Sequence, residues 1–178
     1  LGFGLLGVLD DVTVDQGASG YRGHVAALAR GRLTAGSLKM VAGPAVAVLV
    51  VAPVSNDSAV RLLADGALVA LSANLANLFD RAPGRVAKVS LLMAAVLVGV
   101  TAAAPTLLGL AVVSGAALAL LVPAVRERMM LGDAGANPLG ATLGLATVLT
   151  VSPVARTWVL VAVLALNLVS ERVSFSRV

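Results

Sequence analysis

Three short polar clusters interrupt an otherwise apolar chain, and each holds groups suited to cations and phosphates. Gly7-Val8-Leu9-Asp10-Asp11 ends an apolar run with two adjacent carboxylates. Mutual repulsion and partial desolvation disfavour ionising both. A divalent cation removes that cost, and Mg²⁺ prefers one or two carboxylates together with substrate phosphates. Neighbouring residues project about 100° apart on a helix, so one carboxylate can ligate while the other orients it or acts as a base. The alternative is a solvated helix terminus.

The second cluster runs from Asn74 to Arg85, with Asn74, Asn77 and Asp80 recurring every three residues on one broad helix side. Amides at membrane depth are expensive unless they meet partners or line a watery cavity. The alternative is interhelical hydrogen bonding, which suits Asn74. Asp80 is followed by Arg81 and, past Pro83-Gly84, by Arg85 and Lys88, bases able to hold a pyrophosphate. The third cluster is Gly132-Asp133-Ala134-Gly135-Ala136-Asn137-Pro138-Leu139-Gly140. Its small residues let backbone amides approach a ligand, and the helix expected to start near Pro138 offers an N-terminus suited to phosphate. Equally, Asp133 can serve as that helix's cap.

The elements that must carry these clusters follow from composition. Of 178 residues, 59% are apolar and 12% charged, against about 45–50% and 25% in an ordinary soluble domain. Mean hydropathy is +0.99. These values exclude a soluble globular domain and a disordered chain, and the absence of cysteine excludes a disulfide scaffold. Basic residues outnumber acidic ones by 13 to 9. With only 3% aromatics and no shared basic face, that excess reads as membrane topology, not nucleic-acid binding. The fold class is all-α, a polytopic transmembrane helix bundle.

A span needs about 20 mostly apolar residues. Met40 to Asn56 and Ala134 to Ala155 are free of charge. Val89 to Val125 is also uncharged, is too long for one span, and divides at Ala104-Pro105-Thr106 into a helical hairpin. Val60 to Phe79, tolerating Asp65, and Thr157 to Val173 are further spans. Leu1 to Leu9 reads as the last turns of a helix. The chain opens on Leu with no basic leader or cleavage site, and is expected to be a fragment lacking N-terminal helices. The plan is one partial and six full spans in a single integral-membrane domain, residues 1–178. Counting alternate loops, eleven basic residues, from Arg22 to Arg177, share one face, and only Arg61 and Arg156 occupy the other. The richer face is cytoplasmic by the positive-inside rule. Seven of the nine carboxylates lie there too, leaving Asp57 outside and Asp65 within a span. Three acidic helix ends far apart in sequence thus meet one membrane face, a cation site receiving a phosphate.

With those residues in place, the chain resembles the polyprenyl-phosphate N-acetylhexosamine-1-phosphate transferase superfamily. That group includes phospho-N-acetylmuramoyl-pentapeptide transferase and the UDP-GlcNAc transferases that load a lipid phosphate. Its aspartate pair at a cytoplasmic helix end is matched by Asp10 and Asp11, and its Asn-x-x-Asn-x-x-Asp run by Asn74, Asn77 and Asp80. Its Gly-Asp-x-Gly segment with a later Gly is matched by Gly132, Asp133, Gly135 and Gly140, and its basic loop by Arg22 to Lys39. The resemblance implies Mg²⁺ as cofactor, held by Asp133 and Asp11, with Asp10, Asp11 and Asp80 as catalytic residues. It assigns Asn74, Asn77, Lys39, Arg81 and Arg85 to substrate. The implied reaction moves a sugar-1-phosphate from a UDP-sugar to undecaprenyl or decaprenyl phosphate, releasing UMP, in cell-envelope glycan biosynthesis. The implied partners are the polyprenyl phosphate lipid, the UDP-sugar, the membrane and a second copy in a homodimer, with no nucleic acid. The implied location is the bacterial cytoplasmic membrane, in keeping with a Gly- and Ala-rich, cysteine-free composition.

Two departures stand out. The family's run continues Asp-Gly-x-Asp-Gly, whereas here Pro83 stands at the second acid. The family's C-terminal histidine loop has no match up to Val178, so that either the fragment stops before that loop or the branch is divergent, and the single histidine is His24 in the first loop. These departures keep open a catalytically impaired homologue that binds a lipid phosphate or an envelope-assembly partner. A third reading is a transporter using Asp65 and the Asn-rich helix as an ion path. Against it, no inverted repeat is visible, and Arg61 four residues before Asp65 gives an ordinary i,i+4 pair.

Overall fold

The computed structural model describes residues 1–13, 30–31 and 35–172. Asp15, Arg22, His24, Arg32 and Arg177, together with the side chains of Glu171 and Arg172, lie outside the described residues.

Uninterrupted apolar sequence can satisfy its backbone in a membrane only by helix or closed barrel. The described residues form seven α-helices and one 3₁₀ turn: α1 (Gly2–Val12), α2 (Ala35–Val51), α3 (Ala59–Phe79), α4 (Arg85–Val100), the turn Pro105–Leu107, α5 (Leu108–Val125), α6 (Gly132–Thr150) and α7 (Pro153–Arg172). Local chemistry sets several ends. The Ser58 hydroxyl accepts the Arg61 N–H at 3.1 Å and starts α3. The α4–α5 hairpin turns where expected, through Ala102 and Ala103 at positive φ and then Pro105. Pro153 opens α7, where its missing N–H is harmless.

Three segments are long and apolar enough to cross a membrane: 59–79, 105–125 and 153–170, with mean hydropathy 1.5, 2.3 and 1.6. Six full spans were expected from the charge-free stretches. Among the others, α2 offers only a shorter apolar stretch, Gly36–Val51. Helix α4 has 16 residues and opens with Arg85 and Lys88. Helix α6 is 19 residues long, but its first two turns hold Asp133, Asn137 and glycines.

Helices α3 and α6 form the centre, with α1, α2, α4, α5 and α7 around them. A Cβ on Gly140 would collide with the Ser72 carbonyl, so only glycine allows this approach of α6 to α3. The central core cluster is Ala47, Val51, Leu68, Val69, Ala73, Ala141 and Val148, flanked by one around Leu97, Leu107 and Leu110 and another around Ala76, Val86 and Ala136. Large apolar side chains such as Leu49, Val60, Val112 and Trp158 face outward, the reverse of a water-soluble bundle.

Candidate functional site: an acidic cluster at one end of the bundle

The first N–H groups of a helix lack partners within it. For α6 the preceding Leu131 offers no side-chain cap. Two carboxylates from other helices do so instead. Asp11, at the end of α1, accepts the N–H groups of Asp133 at 3.0 Å and Ala134 at 2.9 Å. Asp80, just past α3, accepts the N–H of Gly132 at 2.7 Å. Gly132 sits at φ 63°, with Asp11 Oδ2 only 2.8 Å from where a Cβ would stand, so glycine is required there. Gly7 likewise lets the α1 backbone press against Asp133 and Ala134.

This corrects the expected start of the third cluster's helix. It begins at Gly132, not near Pro138, and Pro138 lies inside it. Asp133 is therefore a first-turn residue and not the cap. The N–H groups expected to await a phosphate already hold the carboxylates of Asp11 and Asp80.

Freed from capping, the Asp133 side chain turns to other partners. It is ion-paired with the Lys39 ammonium of α2, which also lies 3.4 Å from Asp10 Oδ2. It is hydrogen-bonded to Asp10 and Asn77 as well. Burial is the largest influence on both acids. It raises the Asp10 carboxyl above its usual range, helped by the hydrogen bond to Asp133 and opposed by Lys39. At Asp133 the bonds to Asp10, Lys39 and Asn77 outweigh burial and hold the carboxyl below its usual range. Of the pair, Asp10 thus binds a proton the more readily and Asp133 ionises the more readily. Burial also raises Asp80, against the pull of the Gly132 and Leu131 N–H groups.

Among the described residues, four carboxylates therefore gather near the Lys39 ammonium, which pairs with two of them, and near the α6 N-terminus with its partial positive charge of about one half. Among the described residues no three His, Cys, Asp or Glu side chains are grouped to hold a metal alone. Mg²⁺ does not need such a cage, since it retains waters and binds through one or two carboxylates plus substrate phosphates. Asp133 and Asp10 fit that donor set. One turn deeper, the buried Asn137 amide has no partner at either polar atom. An apolar groove lined by Phe3, Val46, Val69, Pro138 and Leu145 runs beside this part of α6.

The remaining candidates are Asn74, Arg81 and Arg85. Asn74 donates to Asn167 of α7 at 2.7 Å, the interhelical alternative. Arg81 is exposed on the turn after α3, and Arg85 opens α4. A Cβ on Gly84 would meet Val125 at 2.7 Å, so this turn rests on the end of α5, next to Arg126 and Arg128. At the bundle's other end, Asp65 accepts from Arg156 at 2.6 Å and Ser55 at 2.8 Å, with Arg61 at 3.5 Å. Arg61 was the expected partner, but Arg156 is the nearer one. Sequence reasoning also missed Asn137, whose available signal was its spacing of four from Asp133. Comparison of the chain with family models, curated proteins and solved structures finds no match.

Proposed function

We propose that the chain is the core of a Mg²⁺-dependent transferase that moves a sugar-1-phosphate from a UDP-sugar to a polyprenyl phosphate at the cytoplasmic face of a bacterial membrane. The observation that carries this reading is the meeting of Asp10 and Asp11, Asp80, and Asp133 from three remote helix ends, with Lys39 and Asn77 among them. The eleven-to-two division of basic residues supports the sidedness and the six-span arrangement. The apolar groove beside α6 supports a lipid substrate.

Each residue's part follows from its surroundings. Asp133, the more readily ionised acid, holds the cation, while Asn77 fixes its orientation. A bound Mg²⁺ supplies charge neutralisation at the phosphates. Asp10, whose carboxyl titrates above the usual range, takes the proton from the acceptor lipid phosphate. An oxygen of that phosphate forms a bond to the sugar-bearing phosphorus, the bond from that phosphorus to UMP breaks, and UMP leaves. Lys39 turns from Asp133 to the substrate phosphates, and Arg81 and Arg85 hold the pyrophosphate from the rim. Asp11 and Asp80 keep α6 in place.

A second reading has its own support. Lys39 on Asp133, and Asp11 and Asp80 on α6 N–H groups, satisfy much of the cluster internally. With Pro83 at the second acid, that favours an impaired homologue that binds a lipid phosphate without turnover. Measuring UMP release from UDP-GlcNAc and polyprenyl phosphate, with and without Mg²⁺, tests both. Mg²⁺-dependent release supports the transferase. No release, with Mg²⁺-dependent lipid-phosphate binding, selects the second reading.

A further inference from the structure

Asn137 is 1% exposed, and neither its Nδ2 nor its Oδ1 has a partner among the described residues. Buried amides are almost always paired, and one left open on both sides calls for a reason. Capping is not that reason, because Asn137 lies inside α6. Its location is informative. Asn137 follows Asp133 by four residues, so the two share one stripe of the helix, Asn137 about 6 Å deeper along the axis. Gly144 rests on Val69 and Ser72, Gly140 on Ser72 and Ala76, and Gly132 bonds Asp80. That antiparallel register puts Asn137 opposite the Ala76–Asn77 level of α3, where Asn77 reaches Asp133.

We infer that Asn137 is a ligand of the cation held at Asp133, its Oδ1 supplying a neutral oxygen beside the carboxylates of Asp133 and Asp10. Side chains four apart on a helix can reach one ion, as in helical metal motifs. An amide oxygen suits a hard divalent cation and adds a donor without adding negative charge to a crowded acidic cluster. Nδ2 is left to donate to a phosphate oxygen on the same ion. The inference rests on the proposed cation site at Asp133, which the test checks separately.

The test is Mn²⁺ titration of the full-length protein in detergent, read from the loss of the free-ion paramagnetic signal, alongside melting in chelator. Wild type takes up Mn²⁺ and Asp133→Asn does not. Asn137→Leu, and Asn137→Ala as a second variant, weaken uptake about 10–100-fold. Their melting in chelator stays level or rises, since an unpaired buried amide has been removed. Asn137→Asp retains uptake. If the Leu and Ala variants bind as wild type while Asp133→Asn does not, the inference on Asn137 falls and the cation site stands. If both variants melt well below wild type in chelator, the amide has structural partners and the inference falls. If wild type binds no better than Asp133→Asn, the cation site and the inference fall together.

Discussion

The two ends of this bundle each enclose an aspartate within reach of a cation, yet they are built on opposite balances. At one end Asp65 is surrounded by Arg156, Arg61 and Ser55, two guanidinium groups to a single carboxylate. At the other, among the described residues, Asp10 and Asp133 share the ammonium of Lys39, while Asp11 and Asp80 accept backbone N–H groups at the start of α6. The first arrangement ties the loop after α2 and the starts of α3 and α7 together and leaves its carboxylate no need of further charge. Among the described residues the second has more carboxylates than cations and an unpaired amide beneath it. Burial of an ionisable group therefore does not by itself indicate a site. The ratio of charges around it does, since each end leaves a buried polar atom open, Arg156 Nε at the first and the Asn137 amide at the second.

The comparison can be broken most directly by neutralising one acid at each end. Asp133→Asn keeps the shape and removes the charge that holds the cation. In the transferase, UMP release should fall by several powers of ten, at about 1.4 kcal/mol for each tenfold. Equal release from wild type and Asp133→Asn would contradict the metal-transferase reading. Asp65→Asn should do the converse. It leaves Arg156 enclosed without a counter-charge, a change costing about 3–5 kcal/mol of stability. Turnover per folded molecule should stay nearly unchanged. Denaturant unfolding in micelles and the UMP assay on the same preparation separate the two effects.

Much of the plan was legible from local patterns. The charge-free runs marked helices, Pro105 marked the hairpin turn, and alternation placed the three acidic clusters at one end. What escaped was tertiary. The start of α6 was sought near Pro138 because proline favours a first turn and no local side chain caps Gly132. Asp11 and Asp80 supply that cap from more than 50 residues away, a contact that no local motif encodes. Asp65 shows the same limit. Its i,i+4 neighbour Arg61 is visible in sequence, while its shorter bond goes to Arg156, 91 residues distant. The Asn137 stripe was readable by spacing, but burial without a partner is a property of the packed helices.

Titration sharpens the contrast within the acidic end. The folded-state carboxyl of Asp10 is raised above its ordinary value of 3.8, so the folded chain holds that proton more tightly than the unfolded one. Its contribution to stability is therefore full at low pH and declines as pH rises from about the ordinary value through the raised one. Asp133 is lowered and runs the other way, its contribution present above 3.8 and lost as pH falls through the folded value. Asp10→Asn should lessen the decline on the alkaline side of 3.8, leaving the part that comes from the raised carboxyl of Asp80. Lys39→Met should deepen it, because the ammonium opposes the rise at Asp10. Stability measured against pH for the three proteins checks the order. Identical profiles for wild type and Asp10→Asn would mean that the Asp10 carboxyl is not raised in the folded chain.

The smallest effect concerns the boundary between the two ends. Asn74 lies on the same broad side of α3 as Asn77, yet its amide donates to Asn167 of α7. Asn167 in turn donates to the carbonyls of Leu71 and Val163, so the pair joins α3 to α7 through a closed set of bonds. Polar contacts between helices inside a membrane average only about 0.6 kcal/mol, because an unfolded helix in lipid also finds partners. Asn74→Ala should therefore lower stability by roughly that amount. Asn167 keeps its two carbonyls, which prevents a larger loss. UMP release should not change, whereas Asn77→Ala, which takes a hydrogen bond from Asp133, should lower it. The repeat of three that unites Asn74, Asn77 and Asp80 in sequence would then divide in function between Asn74 and Asn77. A fall in release from Asn74→Ala as large as that from Asn77→Ala would extend the substrate site a turn further along α3, toward the middle of the bundle.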